Sequence, residues 1–298
     1  MSRMIGWSGL ITPTLALLIA AGCGGGDSGG EAGGGVAGGG AAAPMENPVD
    51  PATAGSIVGA VTFTGTPVAG EPIDMSAEQV CADKHASQPM TQPAVVGAGG
   101  GLANVFVYVK SGLENLQFPV SSDAALLDQN GCEYHPHILG VMAGQSITVR
   151  NSDAVLHNIK ATPAENRGFN RSQPQAGMEF QTTFGVPEVM IPVECDVHNW
   201  MGSYVGVTSH PFHAVTDDSG AFSFEGLPPG DYEIEAWHET YGVSSQMVTV
   251  PASGQVEATF EFSESMAGRP VPLGEPAFVD HEIGQLRRGP ADAAQLED

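Results

Sequence analysis

Apolar and polar positions alternate with a period of two over most of this chain. "GSIVGAVTFTGTPVAGEPIDM" does so from Gly55 and then meets turn residues at Gly65–Pro67. That pattern predicts a strand, a hairpin turn and the start of a second strand. A further strand is predicted at Val105–Val109, and two flank a turn at Ala143–Gly144. Others cover Met178–Phe184, Val189–Glu194 and Tyr204–Thr208. The alternation is most regular from 213 to 262, where "AFSF", "YEIEAW", "MVTV" and "VEATFEF" are separated by turns at Asp217–Gly220, Pro228–Gly230 and Ser253–Gly254. Residues 76–85, "SAEQVCADKH", read as a single helical turn or a loop. No long stretch carries apolar residues at helical spacing, so the predicted fold class is all-β.

The two ends break the pattern. Residues 1–22 place Arg3 ahead of an apolar segment richest at Leu15–Ala21, then small residues up to Cys23. This is the layout of a secretory signal, too short and too interrupted by Gly and Pro to span a bilayer. Residues 23–54 are Gly-rich and are predicted to be a disordered tether. Residues 264–298 lose the alternation and read as a poorly ordered tail. The net charge is −24, with ten Lys and Arg and no basic cluster. This excludes a nucleic-acid partner and favours basic ones, although acidity also serves solubility in an exported protein. "AAGC" resembles the lipobox of bacterial lipoproteins, with Ala20 where leucine is usual. The resemblance implies lipidation of Cys23 and an extracytoplasmic protein anchored to the membrane by lipid, facing the periplasm or the cell surface. Plain secretion, with cleavage near Gly22, is the alternative.

The chemistry concentrates in "VECDVHNWMGSY", where Cys195, His198 and Met201 are each separated by two residues. A thiolate, an imidazole and a thioether together suit copper, whereas zinc has no use for the methionine. Upstream, "VRNSDAVLHNIKATP" supplies His157 followed by Asn158. The two motifs together resemble the cupredoxins, and the ligand spacing is similar to the short loop of the amicyanins. The resemblance covers about residues 125–208. It implies a Greek-key β-sandwich with one type 1 copper, held by His157, Cys195 and His198 with Met201 as the axial sulfur. It also implies that Asn158 hydrogen-bonds across to the Cys195 loop. His198 is then expected at the exposed exit edge, with Trp200 beside it in a docking patch. The implied function is one-electron transfer, without catalytic residues, to a basic redox protein such as a cytochrome. Copper delivery, a structural or carbohydrate-binding surface role, and a copper oxidase or nitrite reductase are alternatives. The last needs more ligands than the single His-x-His pair, His135 and His137.

With Cys23 on lipid and Cys195 on copper, Cys81 and Cys132 are left, and an exported chain permits a disulfide between them. A second metal site drawn from Cys81, His85, Cys132, His135 and His137 is the alternative. His210, His213 and His238 read as structural. "AVTDDSGAFSFEGLPPGDYEIEAW" resembles the carboxypeptidase regulatory-like β-sandwich, whose usual opening strand has its counterpart at Ser56–Val68. The resemblance implies a split sandwich: 55–110 as its first part, a copper domain at 111–208, and its resumption at 209–263. Two consecutive domains, with 55–130 as an extension of the first, are the alternative.

Overall fold

The computed structural model describes residues 46–268. The expected signal segment, Cys23, most of the tether and the tail beyond 268 lie outside the described residues. In chain order the strands are β1 (Gly55–Thr64), β2 (Phe106–Ser111), β3 (Ala125–Gln129), β4 (Tyr134–His135), β5 (Ile138–Met142) and β6 (Ile147–Asn151). They continue with β7 (His157–Ala161), β8 (Phe169–Gln173), β9 (Met178–Thr182), β10 (Glu188–Glu194) and β11 (Gly202–Thr208). The last five are β12 (His213–Val215), β13 (Ala221–Leu227), β14 (Gly230–His238), β15 (Gly242–Val250) and β16 (Gln255–Ser263). A four-residue helix, α1 (Gln79–Ala82), precedes β2. The fold is all-β.

The strands form four sheets, ordered β13-β1-β16, β12-β2-β14-β15, β5-β11-β10-β7-β8 and β4-β3-β6-β9. The first two draw strands from both ends of the described chain. β1 runs parallel to β16 from Ser56↔Gln255 to Thr64↔Ser263, and antiparallel to β13. β2 lies between β12 and β14. The chain between β2 and β12 builds the other two sheets. The hairpin expected at Gly65–Pro67 does not form. Both edges of β1 are already occupied, and between Gly65 and β2 the chain makes isolated bridges such as Pro72↔Met90 and Val96↔Leu102 in place of a second strand. Order also begins ahead of Gly55: Asp50 caps a turn through Ala52 N–H at 2.9 Å, and Thr53 O accepts from Ser253 N–H at 2.9 Å.

Each pair of sheets encloses its own apolar cluster, one around Val107, Ile234 and Phe260, the other around Val149, Ile191 and Val205. A third cluster joins them. Phe106 and Tyr108 of β2 and Trp237 of β14 meet Ile138 of β5 and Val189 and Met190 of β10. Two glycines make this approach possible. Gly140 and Gly206 are register partners on β5 and β11, and a Cβ on Gly206 would lie 2.6 Å from both Phe106 Cζ and Met190 Cε. Gly206→Ala is therefore expected to destabilise the fold by about 1–3 kcal/mol through overpacking, read from urea unfolding midpoints.

His210 sits where the chain passes from β11 to β12. It is 1% exposed, and its Nε2 bonds Val109 O at 2.8 Å. Burial pushes it down from 6.5 to about 4. The folded state thus favours the neutral ring. Its stabilising contribution is complete above the unfolded value near 6.5 and is lost as pH falls toward 4. The loss approaches about 3 kcal/mol at full protonation. Unfolding at pH 7.5 and 4.5 should show it, with a smaller difference in His210→Gln.

Candidate metal centre

Neighbouring strands bring the site together. β10 ends at Glu194, the loop 195–201 follows, and β11 returns antiparallel beside β10. On the other side β7 pairs with β10 through Ala161↔Val193 and Lys160↔Glu194, which sets the start of β7, at His157, near that loop. The loop closes on itself. Cys195 N–H donates to Met201 O at 3.3 Å and Met201 N–H to His198 O at 3.0 Å. His198 N–H points at Cys195 Sγ at 3.4 Å.

His157, Cys195 and His198 converge, with one ligand atom from each within 4.8 Å of the others, and all three are buried. The Nδ1 atoms of His157 and His198 face each other at 2.9 Å, and Cys195 Sγ lies 3.9 Å from His198 Nδ1. Met201, 3% exposed, packs in the same apolar cluster as Cys195. Two imidazole lone pairs cannot face each other at this distance unless a proton or another cation lies between them. The donors are borderline nitrogen and soft sulfur, the set that fits a copper ion.

The surroundings fix the protonation states. His157 Nε2–H donates to Asp153 Oδ2 at 3.0 Å, leaving Nδ1 to face the site. Burial opposes a charge on His157, but Asp153 and Cys195 outweigh it and raise its pKa. Burial and the nearby His157 lower that of His198. Burial pushes the Cys195 thiol up. The hydrogen bond with His157 and the N–H groups of Asn158, His198 and Val197 more than offset this, so it ionises below its ordinary value. Asn158 Oδ1 accepts from Asp196 N–H at 2.7 Å and from the Cys195 thiol at 3.3 Å. Its amide donates to Asp196 Oδ2 at 3.1 Å, so this side chain clamps the loop to β7.

Cys81 and Cys132 are joined, with Cα atoms 5.5 Å apart. The other candidates for a second metal site are dispersed among separate partners. His85 bonds Gly131 O at 2.8 Å, His135 bonds Asn130 O at 3.1 Å and His137 bonds Glu239 at 2.6 Å. His213 bonds Thr208 Oγ1 at 2.8 Å, and His238 Nδ1 accepts Thr240 N–H at 3.0 Å.

The expectation of an exposed His198 edge is corrected. His198 is 3% exposed, and Cys81 Sγ lies 3.8 Å from its Nε2. The segment before β2 covers it, tied down by the disulfide and by Lys84 Nζ to Asp153 Oδ1 at 3.1 Å. Sequence reading also passed over Asp153. Its carboxylate is fully buried and accepts N–H bonds from Gly131 at 3.0 Å and Cys132 at 2.8 Å. Burial raises its pKa, but His157, these two N–H groups and Lys84 hold it far below the usual carboxylate range. A carboxylate four residues ahead of a candidate ligand histidine was the available signal.

No curated protein matches the chain. Among solved structures, a Cu-containing nitrite reductase (NirK) from Thermus scotoductus SA-01 aligns at TM-score 0.28 and 16% identity, over 31% of this chain and 24% of that one. The chain thus spans about a quarter of that enzyme's length. A methionine-to-alanine mutant of amicyanin in its Cu(I) form aligns at TM-score 0.26 and 21% identity, over 30% of this chain and 85% of that one. A purple cupredoxin from Nitrosopumilus maritimus aligns at TM-score 0.25 and 24% identity, over 28% of this chain and 99% of that one. Residues 202–263 match the carboxypeptidase regulatory-like domain family, a span that takes in β12–β16 together with β11.

Proposed function

We propose that this chain is a one-electron carrier built on a mononuclear copper site, which His157, Cys195 and His198 would hold, with Met201 as a further sulfur donor. The observation that carries the reading is the convergence of two imidazoles and one thiol with a lowered pKa in a buried pocket at three strand ends. Copper bound there would supply a one-electron couple. The chain's own residues do the rest. Asp153 orients His157, and Asn158 holds the Cys195 loop. Cys195 is only 4% exposed, and the rigid sheets resist change in ligand positions. On this reading 111–208 is the copper domain, and β1 and β2 complete a regulatory-like sandwich with β12–β16. The protein works outside the cytoplasm, lipid-anchored through Cys23, and passes electrons to a basic redox protein.

Loading the purified chain with Cu(II) tests this. An intense visible thiolate-to-copper band with narrow hyperfine splitting in paramagnetic resonance is expected. A colourless protein, or one that takes up zinc in preference to copper, would overturn it.

A further inference from the structure

The cover over His198 raises the question of how an electron would leave. Three ties hold the covering segment: the Cys81–Cys132 disulfide, the Lys84–Asp153 ion pair and the His85 bond to Gly131 O. Ile73 and Met75 of the same segment pack into the cluster that holds Cys195 and Met201. A group approaching from this side meets backbone and a disulfide before it meets the imidazole.

Trp200 offers a different way out. Its ring lies 5.1 Å from that of His198, and it is half-buried rather than covered. Its Nε1–H donates to Cys132 O at 3.0 Å, which fixes the ring. Two surface cavities, of about 300 and 390 Å³, share Trp200, Met201 and Tyr204 in their walls. Glu133 and Glu239 line the first together with His135 and His137, Glu194 and Asp196 line the second together with Cys195, and neither wall contains Lys or Arg. Lys160 pairs with Glu194 and Asp196 from outside the wall. One aromatic ring therefore touches a ligand imidazole on one side and open acidic surface on the other.

We propose that Trp200 is the port through which electrons enter and leave this protein, and that its partner docks there with a positively charged face carrying a one-electron redox group. This rests on the copper reading. One electron moves from the reduced protein to a one-electron oxidant, with no bond made or broken. Attraction between the acidic walls and a cationic partner speeds encounter and weakens as salt rises.

The test uses the full chain and a cationic cobalt(III) ammine as oxidant. Trp200→Leu should slow oxidation by about tenfold or more, with the visible band and reduction potential unchanged, whereas Trp200→Phe should stay within about threefold of the parent. Adding Cys81→Ser and Cys132→Ser to Trp200→Leu uncovers His198 and should restore much of the rate. A second readout needs no metal. In a Trp7→Phe background, caesium should quench Trp200 fluorescence more strongly at low salt than at high salt, while iodide should show the opposite trend. Trp237, which is 0% exposed, should stay silent. An intact band with a Trp200→Leu rate within about twofold of the parent overturns the port alone, as does quenching indifferent to the quencher's charge. A parent without the band overturns the port and the copper reading together.

Discussion

Replacing Cys195 with serine is expected to abolish the intense visible band of the copper-loaded protein and to leave an ordinary Cu(II) signal from the two imidazoles. A serine hydroxyl stays protonated near neutral pH, whereas the Cys195 thiol ionises below its ordinary value, drawn down by the His157 hydrogen bond and three backbone N–H groups. Serine is also a harder donor than thiolate, so the covalency behind the band disappears even if copper still binds. The substitution should spare the fold. Cys195 Sγ accepts from His198 N–H at 3.4 Å and donates to Asn158 Oδ1 at 3.3 Å, and a hydroxyl can do both. Circular dichroism and the thermal midpoint should therefore match the parent. A band that survives in a well-folded variant would remove Cys195 from the ligand set.

Removing the Cys81–Cys132 disulfide, by paired alanine substitution or by reduction, should cost stability heavily. The two cysteines are 51 residues apart in sequence. Closing a loop of that size in the unfolded chain corresponds to about 4 kcal/mol in the chain-entropy account. The local consequences add to this. Both sulfurs are fully buried in the cluster that supports the site, and the bond holds the covering segment against His198. Urea unfolding of the oxidised and reduced forms would measure the difference. A change below about 1 kcal/mol would mean that the ion pair and apolar anchors hold the segment by themselves. In that case iodoacetamide should react with Cys195 equally slowly in both forms. Faster alkylation of the reduced form would show that the bond is what closes the site.

The regular strands were the most legible part. β13 and β16 alternate over most of their length because one face of each meets the core and the other meets water, a property local to each segment. Strands at or near the site read poorly. β8 is a sheet edge whose central residues are exposed, so "FNRSQ" has no apolar face to detect. β7 opens with buried His157 and Asn158, polar residues where the pattern calls for apolar ones. There the local rule is broken for the sake of the site, as functional positions tend to do.

The sequence by itself determined which donor atoms were available and that three of them share one seven-residue loop. It also determined the strands whose alternation depends only on near neighbours. The partners came from the tertiary structure alone. β1 is completed by β16, almost 200 residues away, because its edges are satisfied there rather than by the chain that follows it. Gly140 and Gly206 became a seam only once Phe106 lay across them. His198 went from an expected open edge to a covered one because a segment over a hundred residues upstream packs on it. Burial is a property of what folds over a residue, and the spacing of ligands within a loop carries no record of that.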